Sequence, residues 1–151
     1  MTRSLLTLVA AALLAGCGPA PTAQAPKSDP TTESWYAQDT QRLANMDLAA
    51  AKLFHAGRND DAAAIVQSGV AIQKRLLAAP RPTLEAMEAI ADLDHVYGRL
   101  LISNGYFGDA CMLFQKNVTR WRTWKQPNPD TERRLKEAND DIDECNRHMG
   151  G

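Results

Sequence analysis

Leu135, Ala138, Ile142, Cys145 and Met149 step along the chain by three, four, three and four residues. That spacing puts all five on one stripe of an α-helix and would scatter them across a strand. The same stepping recurs upstream, and no run of alternating β-branched residues interrupts it. It predicts an all-α chain with helices over 33–56, 60–78, 84–104, 109–124 and 130–148. The apolar faces are Leu43, Met46, Ala50, Leu53 and Phe54 in the first helix and Ala62, Ile65, Val66, Ile72 and Leu76 in the second. The third carries Met87, Ile90, Leu93, Tyr97 and Leu101, and the fourth Ala110, Leu113, Phe114, Val118 and Trp121.

Breaks separate these helices cleanly. Gly57 and Asn104-Gly105 supply left-handed exits. Ala78-Ala79-Pro80-Arg81-Pro82 and Lys125-Gln126-Pro127-Asn128-Pro129 stop a helix outright. Asn59 and Thr83 are expected as N-caps. Trp35-Tyr36 is expected to pack the start of the first helix onto the rest, with a partner contact as the alternative.

The N-terminus is of another kind. Arg3 precedes an apolar run from Leu5 to Leu14, too short for a bilayer span of roughly 20 residues but suited to a secretion signal. The run ends Leu14-Ala15-Gly16-Cys17, which resembles the lipobox of bacterial lipoproteins. The resemblance implies cleavage before Cys17 and a diacylglycerol on its thiol, an anchor that two or more acyl chains make stable. Gly18, not Asp, follows the cysteine, and by analogy with diderm lipoproteins this implies the periplasmic face of the outer membrane. The domain reading is therefore a signal over 1–16, a lipidated linker over 17–32 and a helical domain over 33–151. Residues 18–32 hold four prolines and no large apolar side chain, so this stretch reads as a tether. Fully extended, it would reach about 30–45 Å.

Loss of residues 1–16 removes Arg3 alone among the charges, leaving 16 bases against 18 acids. A mature chain near −2 lacks the basic surplus of a nucleic-acid binder. His55, His95 and His148 have no partner at a metal-ligand spacing. Neither a nucleophile elbow nor a phosphate-binding loop occurs. No enzyme activity, cofactor or metal is therefore expected. Asp60-Asp61 reads as helix-start charge and Asp140-Asp141 as a solvated face. In Arg120-Trp121-Arg122-Thr123-Trp124-Lys125, Trp121 fits the core and the arginines a solvated edge.

The two glycine exits align at an offset of 48. Leu53, Gly57, Asp61 and Ala62 fall on Leu101, Gly105, Asp109 and Ala110, and Ile65 falls on Leu113. Each unit is helix, glycine turn, helix. With Tyr97-Gly98 as a large-small pair, Ala110 as a small second-helix residue and Phe114 after it, the units resemble the tetratricopeptide repeat, in the longer-period form of kinesin light chain-like arrays. The resemblance covers 40–148, with Asp94 and Met46 at the family's tryptophan position. It implies two helix hairpins and a C-terminal capping helix; the alternative is an irregular four- or five-helix bundle. It also implies a groove lined by Asp47, Ala51, Phe54 and His55, then Asp92, His95, Arg99 and Ile102, then Lys136 and Asp140.

Cys111 and Cys145 are equidistant from Asn128, which lies in the break between the last two helices. In an antiparallel hairpin they stand at one height, roughly 21–24 Å from the loop at 1.5 Å per residue. An oxidising compartment favours a disulfide between them; the alternative is two buried free thiols. The functional expectation is a membrane-tethered adaptor for a protein or peptide partner. The alternatives are an inhibitor or immunity-type lipoprotein that masks a toxin or enzyme, and a self-associating structural lipoprotein.

Overall fold

The computed structural model describes residues 28–150. Cys17, the signal and most of the linker lie outside these residues. After a 3-10 turn at Pro30–Thr32 come α1 (Ser34–His55), α2 (Asn59–Leu77), α3 (Leu84–Ser103), α4 (Phe107–Thr123) and α5 (Pro129–Met149). The described chain is all-α, with no strand among the described residues. None of its helices is long and apolar enough to cross a membrane.

Each helix lies against the next, and α1 also lies against α3. Gly57 and Gly105 take φ of 73° and 80° at the α1 and α3 exits, where a side chain would be strained. Thr83 caps α3, its Oγ1 accepting from the Ala86 N–H at 3.3 Å. Asn128 caps α5 in a capping box with Thr131. Asn59 differs from expectation: Arg58 is the N-cap, and Asn59 is the first helical residue. Its amide is directed at the Ser103 hydroxyl, 3.3 Å away. At the end of the linker reading, Asp29 caps the 3-10 turn at Pro30–Thr32.

One core joins α1, α2 and α3, with Leu43, Leu76, Leu93 and Leu100 at its centre. Tyr36 is buried there, and its hydroxyl accepts from the Thr83 N–H at 3.3 Å. Small residues permit this closeness. A Cβ on Gly69 would lie 2.6 Å from Leu93 Cδ2, and one on Gly98 would fall on the Phe114 ring. Two further clusters hold α4 and α5, one around Trp121 and Ala138 and the other around Phe114 and Cys145. Cys111 and Cys145 are joined by a disulfide, their Cα atoms 5.6 Å apart.

Two residues assigned to apolar stripes lie outside them: Tyr97 and Met149 are exposed. Met149 sits in the last turn of α5, beyond the end of the packed stripe. Arg120 departs the other way. It is no solvated edge but a buried partner of Asp94 at 3.0 Å. Gln73 of α2 donates to the same carboxylate at 3.0 Å, and Asn117 donates to the Ala91 carbonyl at 3.0 Å. Asp94 is thus the acid of a polar network linking α2, α3 and α4.

Candidate functional site

α3 and α5 meet differently from α1 and α3. Their backbones approach much less closely, and long charged side chains span the gap. Arg134 Nη1 reaches Asp92 at 2.5 Å, His95 Nδ1 meets Asp141 at 2.8 Å, and Arg99 Nη1 meets Glu144 at 2.5 Å. The pairs rise together in number, so α3 and α5 run parallel. Charge order is complementary: acid, base, base on α3 faces base, acid, acid on α5. Between the helices lies a cleft of about 400 Å³, bordered by Asp92, His95, Arg134 and Asp141, with Asn117 and Trp121 of α4 among its walls.

Arg134 is the most engaged residue of this cleft. It lies over the Trp121 ring at 5.6 Å and also bonds Asp130 at 2.8 Å. Burial works against its charge, yet the bonds to Asp92 and Asp130 hold its pKa above the ordinary arginine value. Those two bonds do not tie it down alone, since Glu88 stands 3.8 Å away. Asp130, bonded by Arg133 and Arg134, is held down at about 2. The hydrogen bond His95 Nδ1 donates to the Asp141 carboxylate holds His95 above its usual 6.5.

Asp47 of α1 faces the same junction. Burial, and then the charge of Asp92, push its carboxyl up to about 6, against the pull of His95 and Arg134. It makes no hydrogen bond or ion pair among the described residues.

Asp92, His95 and Asp140 border the cleft, Arg99 pairs with Glu144 farther along α3, and Asp47 of α1 feels the charges of Asp92, His95 and Arg134. The other groove assignments fare differently. Phe54 and Ile102 are half-buried against the cores and are not displayed as an apolar floor. His55 is exposed at the end of α1. Lys136 points to solvent and pairs with Asp140 at 2.6 Å. It stands two residues from buried Ala138, which at 3.6 residues per turn is on the far side of α5.

Arg134, Asp141 and Glu144 are the residues that α5 turns toward α3, and none was assigned to the groove from sequence. Asp141 is half-buried, not part of a solvated face. Their 134-141-144 spacing beside the apolar stripe was the available signal. A second cleft, about 510 Å³, lies between the loops at Pro80–Glu85 and Thr123–Gln126. Among the described residues no cluster of His, Cys, Asp or Glu has the form of a metal site.

No family model matches the chain, no curated protein matches it, and no solved structure matches it.

Proposed function

We propose that this chain is an exported, lipid-anchored adaptor that receives a protein or peptide partner on the face shared by α1, α3 and α5. In this reading Cys17 carries the lipid, the proline-rich stretch is the tether, and the outer membrane's periplasmic face is the site. The domain is tetratricopeptide-like in build. The glycine-exit hairpins, the side-by-side packing of α1 and α3, and the contact of Gly98 with Phe114 support that description.

The observation that carries the partner reading is the cleft between α3 and α5, where Asp92 and His95 of α3 meet Arg134 and Asp141 of α5. A junction of charged side chains on a folded frame offers directional contacts to a partner's backbone and polar groups. The disulfide supports the exported setting, since such bonds persist in oxidising compartments.

The test uses the full chain in its own membranes, with a photo-crosslinking residue at Asp140 or, as control, at exposed Val70 on α2. Discrete adducts from position 140, absent at 70 and lost on adding Asp92→Lys, are the expected result. Equal adducts from both positions would contradict the reading. For the anchor, Cys17→Ala is expected to abolish palmitate labelling and release the protein from the membrane fraction.

A further inference from the structure

Four ion pairs bridge α3 to α5 among the described residues, Glu88 and Asp92 with Arg134, His95 with Asp141 and Arg99 with Glu144, and only His95 is a base that titrates near neutrality. In the other pairs the base is an arginine; in His95–Asp141 it is an imidazole, the side chain that changes charge near neutrality. This seam is otherwise thin, because the α3 and α5 backbones approach little and α5 is fixed to α4 by packing and the disulfide. We propose that His95–Asp141 is a proton-operated latch: protonated His95 holds α5 against α3, and neutral His95 lets the seam and its cleft open while α5 stays on α4.

The groups around the latch reinforce it. From α1 comes Asp47, and from α3 come Asp92 and Arg99. From α4 come Asn117, Trp121 and the Phe114 ring, whose centroid is 6.0 Å from that of His95; none of them titrates in this range. From α5 come Arg134, Glu137, Asp140 and Asp141. As pH rises, His95 loses its positive charge and Asp47, held up to about 6, gains a negative one. Both changes leave the acids of α5 facing a more negative wall. Because His95 is raised above 6.5 in the fold, its contribution is complete below that value and lost as pH climbs beyond it. The latch stands on the seam's geometry and does not require the adaptor reading.

Amide hydrogen exchange on the full chain tests it, at about pH 5.5 and about pH 8, each corrected for intrinsic exchange chemistry. Protection in α5 is expected to fall several-fold at the higher pH. Protection in α1 is expected to change little. His95→Gln should show the weaker α5 protection at both pH values, and Asp141→Asn should match it. Wild-type protection that does not vary with pH would overturn the proposal, a result that needs no variant. So would a His95→Gln protein that keeps the wild-type pH dependence.

Discussion

α3 presents two flanks that are built on different physics. Toward α1 and α2 it offers Leu93, Leu100 and Ile90, all fully buried, and a glycine on α2 lets the backbones close up. Toward α5 it offers Asp92, His95 and Arg99, each tied to an opposite charge across a wider gap. The first seam depends on shape and apolar burial, which respond little to pH or salt. The second depends on partly exposed charges, which respond to both. A rigid half and an adjustable half therefore share one helix, and the adjustable half holds the candidate site.

The contrast can be broken by substitution. Leu93→Ala empties the first seam and is expected to destabilise the domain by about 2–5 kcal/mol, the range for a buried leucine. Chemical denaturation with far-ultraviolet circular dichroism measures it, and a loss under about 1 kcal/mol would show that the α1–α3 core is not the rigid element. Reduction of Cys111–Cys145, which closes a loop over a sequence separation of 34, is expected to remove about 3–4 kcal/mol by the chain-entropy relation. Arg99→Gln acts on a pair whose side chains are each 32% exposed, so its effect is expected to stay within about 1 kcal/mol and to shrink further in high salt.

The smallest effect concerns the slope of stability with pH. Asp47 favours its protonated form in the fold, so its contribution is full below 3.8 and lost as pH rises through about 6. Asp130 has the opposite sign: its contribution is present above 3.8 and lost as pH falls toward about 2. The Tm is therefore expected to decline from about pH 5 to about pH 8, and Asp47→Asn to flatten that decline. An unchanged slope in the variant would remove Asp47 from the account.

The helices and their breaks were legible in both halves. Three-and-four stepping placed every helix, glycine marked two exits, and equal distances from Asn128 paired the cysteines. These signals are local or symmetric, so one sequence carries them. The Asp94–Arg120 pair was not legible, because a charged residue reads as surface until a partner across the fold neutralises it. Of the two α5 residues assigned to the groove, Asp140 borders the cleft and Lys136 points to solvent. Both were placed by analogy with the groove of a repeat, whereas the orientation of α5 is set by Ala138 and Cys145 packing on α4. That packing turns 134, 141 and 144 toward α3 and leaves 136 in solvent. Tyr97 fits the helical period and is still exposed, since periodicity marks a face without saying how far the neighbouring helices extend over it.

Amide exchange of the folded chain before and after gentle reduction of the disulfide tests the two-seam account most directly. Once the bond is opened, α5 is predicted to lose protection while α1, α2 and α3 keep theirs, because α5 then keeps only its apolar packing and its ion pairs to α3. Loss of protection in all five helices together, or in none of them, would contradict it.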